Sequence, residues 1–134
     1  MRLKTFPGGI HPHDQKHYSK SATIRKYPTP NRVIIHLSQH IGAPSSPIVE
    51  VGESVLKGQV IAEPTGFVSL TQHASISGKV SKIGKFMHPT GAMSTAIEIT
   101  SDGLDQMVAL DDNENFLELP VESMKERIAN AGIC

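Results

Sequence analysis

Between Ile48 and Gly84 the apolar positions come in short bursts, each closed by a glycine. Val49 and Val51 alternate with polar neighbours, the spacing of one buried strand face. Gly52 and Gly58 bracket Val55, and Val60 and Ile61 resume the apolar pattern. The same logic repeats around Gly78, with Ile76, Val80 and Ile83 predicted to point inward. Two short β units that turn on glycine read as the halves of a small barrel-like sandwich. Glycine suits such corners because tight turns need positive φ or close backbone approach.

The flanks extend this picture. Arg32-Val-Ile-Ile-His-Leu37 predicts a strand, and its β-branched run predicts burial on both faces. Residues 38–47 read as a loop. Pro64-Thr-Gly66 predicts a turn, and Phe67-Val-Ser-Leu70 a further strand. Residues 85–92 read as a polar loop. Residues 95–100 alternate cleanly as a strand closed by a turn at Asp102-Gly103. Upstream, Pro7, Pro12, Pro28 and Pro30 exclude long helices from residues 1–31, leaving an extended arm with one short strand at 22–26. Phe6, Ile10, Tyr18 and Ile24 are the apolar residues that would pack this arm on the barrel. Residues 111–115 read as an acidic turn. Pro120 then opens a helix reaching about Ala131, with Val121, Met124, Ile128 and Ala131 on one face and Gly132 as its C′ residue. The chain divides into an arm (1–31), a β domain (32–105), and an acidic turn with a helix (106–134).

Composition narrows the function. With 134 residues there is room for one domain with an appendage. Thirteen basic and thirteen acidic residues give zero formal charge, which argues against general nucleic-acid or anionic-membrane binding. Aromatics are 4% and Trp is absent, so base-stacking platforms are not expected. Cys134 is the one cysteine; no internal disulfide can form, and a reducing compartment is expected. No secretory signal is read at the start, and no apolar run nears the roughly 20 residues of a membrane-spanning helix.

Candidate chemistry is sparse. His11, His13 and His17, with Asp14 as a possible fourth ligand, invite a metal. Their spacing matches no closed zinc pattern, and scattered histidines on a solvated arm are the plainer reading. His73 beside the second glycine corner could carry a phosphoryl group if His36, His40 or His88 shielded it. A structural hydrogen bond at a strand start is the simpler role. Val51-Gly-x-x-Val-x-x-Gly58 is not a phosphate loop, because it lacks the Gly-Lys-Ser/Thr ending and a following helix. No serine or cysteine has the partners that would activate it.

Five motifs follow one another along nearly the whole chain. They are Phe6-Pro-Gly-Gly-Ile-His-Pro12, the Pro28/Pro30 pair, Gln39-His-Ile-Gly-Ala-Pro44, Val51-Gly-Glu-Ser-Val-Leu-Lys-Gly-Gln59 and His73-Ala-Ser-Ile-Ser-Gly78. This series resembles the N-terminal region of RnfC, the NADH-side component of the Rnf electron-transport complex. More distantly it resembles the corresponding component of the sodium-pumping NADH:quinone reductase. The family's first motif continues Pro-Glu where this chain has His13-Asp14, so His13 and His17 inherit no family role. The resemblance implies a mainly β fold: a barrel-sandwich hybrid of the lipoyl/biotinyl type over 32–105, with the extended arm and one C-terminal helix. It implies a parent protein on the NADH side of a membrane-bound, ion-translocating ferredoxin:NAD oxidoreductase. That parent would use FMN, NADH and two 4Fe–4S clusters, all held beyond Cys134.

Within this segment the resemblance assigns no catalytic, cofactor-binding or metal residue. Its implied role is docking, against the nucleotide-binding domain of the same parent and against other subunits. The implied location is peripheral, at the cytoplasmic face of the inner membrane. Carrier domains of this fold expose a lysine at a hairpin tip, where this chain has Glu63-Pro-Thr-Gly66. Lys57 and Lys79 lie instead in or beside the glycine corners, where a cation is usually solvated. A free-standing carrier or phosphocarrier barrel and a metal-binding module are the alternatives.

Overall fold

The computed structural model describes residue 8, residues 12–110, residue 115 and residues 118–133. Its β elements are β1 (Arg32–His36), β2 (Ser46–Pro47), β3 (Ser54–Val55), β4 (Val60–Glu63), β5 (Gln72–His73), β6 (Gly78–Met87) and β7 (Met93–Ser101). A 3-10 turn, Lys16–Tyr18, precedes them and one helix, α1 (Val121–Asn130), follows. The strands form two antiparallel sheets, one ordered β1-β7-β6-β3 and the other β2-β4-β5.

The core lies between these sheets. Ile61, Ala62, Ile97 and Ile99 are fully buried, and Val49, Val55, Ile76 and Val80 join them. Register aligns the apolar faces: Val33 and Val80 both pair with Ile99, and Ile35 and Ile83 both pair with Ile97. Side chains alternate along a strand, so these pairs stack on one face and bury together. A register shift between Val80 and Lys82 keeps Ile83 on that face.

The glycine corners close the sandwich. In the first, Gly52 takes φ +96°, its amide donates to the Val80 carbonyl, and the Glu53 carbonyl accepts from the Val80 amide. In the second, Gly58 takes φ +82° and its amide donates to the Ala74 carbonyl. The two corners are therefore tied to residues on either side of Gly78, the first to Val80 in β6 and the second to Ala74 just past β5. Gly78 itself lies so close to β7 that a Cβ there would sit 2.0 Å from the Thr100 carbonyl oxygen.

Several expectations need correction. Val51 is 61% exposed, because residues 51–52 form the turn rather than continue a strand. Residues 67–70 form no strand, and neither do residues 22–26. The short β2 interrupts the loop expected at 38–47. The polar loop expected at 85–92 is shorter, since β6 runs to Met87 and pairs with Met93. β1 is buried on one face only: Ile35 points inward while Ile34 is exposed, because the sheet has a core on a single side. Of the arm's expected anchors, Tyr18 and Ile24 are 83% and 98% exposed, so neither packs on the barrel; Phe6 and Ile10 lie outside the described residues.

The helix is where the sequence placed it, with Pro120 just before its first residue and Gly132 at φ +71° after its end. Its apolar stripe is only partly covered: α1 has no fully buried residue, Met124 is half-buried, and Val121 and Ile128 are exposed. It meets the barrel at its end, where a Cβ on Gly132 would lie 2.6 Å from the Thr71 carbonyl oxygen.

Candidate functional site

At one end of the sandwich two loops meet, residues 38–45 and residues 64–71. Their backbones approach closely because Gly42, at φ +112°, has no side chain; a Cβ there would fall 2.1 Å from the Val68 carbonyl oxygen. The Ala43 amide donates to that same carbonyl at 3.0 Å. His40 bridges the loops: its Nδ1–H donates to the Ile41 carbonyl at 3.2 Å, leaving Nε2 to accept the Leu70 amide at 3.1 Å. Buried Ser45 donates its hydroxyl to the Leu70 carbonyl at 2.6 Å, and Thr65 donates its own to the Pro44 carbonyl at 2.7 Å. The Thr65 amide donates to Ser69 Oγ at 3.2 Å. These bonds satisfy backbone groups that two adjacent loops would otherwise leave to water, and they fix both loops without a strand.

The fixed loops hold apolar side chains outward. Phe67 is fully exposed and Ile41 is 91% exposed, with Val68 beside them. This is the region where a carrier domain would present its lysine. Glu63 ends β4, Pro64, Thr65 and Gly66 lead into the loop, and Phe67 stands out from it. Lys57 is not a free cation: its Nζ pairs with Asp105 at 3.1 Å while its backbone bonds Gln106 and Val108. Lys79 is exposed on β6, in register with Ser54.

A cleft of about 510 Å³ adjoins the loops, lined by Gln39, His36, His73, His88, Thr71 and Gly132 among others. The His36 and His88 rings meet edge to face at 4.9 Å. His36 Nδ1 lies 2.7 Å from Ser94 Oγ. Both nitrogens of His88 are engaged: Nε2–H donates to the Ser38 carbonyl at 3.1 Å, and Nδ1 accepts the Thr90 amide at 3.2 Å. The His73 ring makes no hydrogen bond among the described residues, so the structural bond expected of it is not seen. His36 and His88 thus line the same cleft as His73, but both nitrogens of His88 are already bonded and none is left to shield a phosphoryl group. His40 does not line that cleft and is engaged in the loop staple.

Of the arm histidines, His11 lies outside the described residues, and His13 and His17 are exposed. The His17 and Tyr18 rings meet at a tilt of 41°, with centres 3.9 Å apart. Asp14 accepts the Lys16 amide at 3.2 Å. Among the described residues no three His, Cys, Asp or Glu side chains are grouped to share a metal. A four-cysteine iron–sulfur cluster does not fit this chain, which has a single cysteine. Nor does the approach to α1 offer a glycine-rich phosphate cradle, since Glu118-Leu-Pro120 leads into it.

A polar hub that the sequence does not signal lies beside Gly78, at the turn after β7. Buried Ser77 donates to Asp102 Oδ1 at 2.7 Å and accepts the Gln106 amide at 3.0 Å. Asp102 also accepts the Leu104 amide at 2.9 Å. That amide first, and the Ser77 hydroxyl second, hold the Asp102 carboxyl below the usual carboxylate range. The Asp-Gly pair signals the turn; only the fold brings Ser77 to it.

The sequence motifs occupy defined places. Gln39–Pro44 forms the stapled loop, Val51–Gln59 contains both glycine turns, and His73–Gly78 runs from β5 into the close approach on β7. They specify backbone corners. Among the described residues no helix is long and apolar enough to cross a membrane.

Comparison with known proteins agrees with the resemblance. Residues 4–104 match the RnfC barrel sandwich hybrid domain. The chain is 46% identical over 132 residues to the C subunit of the proton-translocating ferredoxin:NAD(+) oxidoreductase complex of Clostridium ljungdahlii, covering 98% of this chain and 29% of that protein. It is 44% identical over 133 residues to the C subunit of the ion-translocating oxidoreductase complex of Pseudomonas aeruginosa, covering 98% and 17%. It is 39% identical over 130 residues to the C subunit of the Na(+)-translocating ferredoxin:NAD(+) oxidoreductase complex of Acetobacterium woodii, covering 96% and 29%. The chain thus spans less than a third of the length of these relatives. With two packed antiparallel sheets turned on glycine and a family match over most of its length, the chain belongs to the RnfC barrel-sandwich hybrid domain family.

Proposed function

We propose that this domain is the non-catalytic docking module of the NADH-side subunit of an ion-translocating complex that transfers electrons between ferredoxin and NAD. The observation that carries this reading is the loop at residues 64–71. The fold of a carrier is kept, but its attachment point is replaced by a hydrogen-bonded loop that shows Phe67 to solvent. Such a loop offers contact area rather than a reactive group. FMN, NADH and the iron–sulfur clusters then belong to other parts of the parent protein, including its nucleotide-binding domain. The domain's partners are that domain and neighbouring subunits, at the cytoplasmic face of the membrane.

The test deletes residues 1–105 from the parent protein in the native complex. The expected result is a protein that still passes electrons from NADH to a soluble acceptor but no longer co-purifies with the membrane subunits. A complex that assembles fully without the domain overturns the docking role. Loss of NADH oxidation by the isolated protein overturns the non-catalytic one.

A further inference from the structure

The surface formed by Ile41, Phe67 and Val68 has two properties that seldom coincide. It is apolar and outward-facing, and it rests on loops whose backbones are fixed from beneath by His40, Ser45 and Thr65. An exposed aromatic on a mobile loop loses conformational freedom when it binds. One held in place beforehand loses much less, so its burial is more favourable. Single exposed apolar residues are ordinary, but a supported cluster of this kind marks a contact surface.

The position of the chain's exit selects the occupant. Gly132, two residues past α1, is packed against the Thr71 carbonyl, and Thr71 follows Leu70 directly in the stapled loop. Gln39 lines both the cleft that contains Gly132 and the one that contains Ile41 and Phe67. Polypeptide continuing beyond α1 therefore starts beside this surface. In the relatives more than two thirds of the protein lies outside the matched region. A tethered partner that starts next to a surface meets it at high effective concentration and needs little intrinsic affinity.

We infer that the Ile41–Phe67–Val68 surface is the seat of the part of the same polypeptide that follows α1, an intramolecular interface centred on Phe67. The inference rests on the docking reading and makes it specific: the first thing docked is the parent protein's own next domain.

The test places a photo-crosslinker at the centre of the surface, as Phe67→p-benzoylphenylalanine, in the full-length protein within the native complex. The expected result is a cross-link within one polypeptide, mapped by peptide mass spectrometry to residues beyond 134. A cross-link to a different subunit or to a second copy of this one overturns the inference while leaving the docking role intact. Absence of any cross-link overturns it as well. The double variant Ile41→Ser/Phe67→Ser supplies a second readout. Amide exchange in the contacted segment is expected to rise about tenfold, while the amides of β6 and β7 in the same full-length protein keep their protection because both substituted side chains are solvent-exposed and outside the core. Unchanged exchange in the full-length variant overturns the inference. Assembly of the complex after deletion of residues 1–105 counts against the docking role and not against this surface, so the two failures are distinguishable.

Discussion

Gly78 and Asp102 show how much a single position can carry here. Any side chain at Gly78 enters the backbone of β7 at Thr100, and backbone cannot step aside as a flexible side chain can. Gly78→Ala is expected to cost about 3 kcal/mol, read as a lowered urea midpoint with unchanged slope. Asp102 acts through its charge. Its carboxyl is held below its ordinary range by the Leu104 amide and the Ser77 hydroxyl. A lowered folded-state value means that the folded state binds the proton more weakly than the unfolded state does. The contribution is therefore complete above the unfolded value of about 4 and is lost as pH falls through the lower folded value. Urea unfolding of the wild type and Asp102→Asn should show the variant less stable at neutral pH. The gap should close only once the pH has fallen below the ordinary carboxylate range. A gap independent of pH would show that the carboxylate charge is not what Ser77 and Leu104 stabilise.

At the scale of elements, strands are more legible in the sequence than loops. β7 is legible because Ile97 and Ile99 flank Glu98 and are both fully buried, although Ala96 is buried as well and breaks the strict alternation. Residues 67–70 mislead because Phe and Val favour strands locally, while the backbone bonds of Val68 and Leu70 go to another loop instead. The staple itself is testable. In His40→Ala the Leu70 amide loses its acceptor, which should cost about 1 kcal/mol. It should also speed exchange at Leu70 by native-state hydrogen exchange, leaving amides of β6 and β7 protected. Equal acceleration throughout would mean that the loops are part of the global core. The helix is legible for the opposite reason: Pro120 and Gly132 mark its ends by covalent geometry alone.

Across the whole molecule, zero net charge conceals an asymmetry. Residues 1–31 hold six Lys or Arg against one Asp, whereas residues 102–134 hold eight Asp or Glu against two cations. Net charge therefore describes the average and not the two ends. The described arm from residue 12 to residue 29 is exposed throughout, so it adds little to the stability of the barrel. Tyr18→Ala and Ile24→Ala should each shift the unfolding free energy by less than about 0.5 kcal/mol. A larger loss by thermal or urea unfolding would show that the arm packs on the domain in solution.

Sequence alone determined the β class, the glycine corners, the helix ends and the family, because each rests on local geometry or on the spacing of motifs. It also determined that a four-thiolate cluster does not belong here, since the donors are missing. Tertiary structure decided which surfaces are covered and which are not. That Val49 is buried and Val51 is not, that His40 accepts the Leu70 amide, and that Ser77 reaches Asp102 all depend on contacts between distant segments. Phe67 stands clear of the core for the same reason. Its own preference is for burial, and only the paired loops beneath it hold it outside.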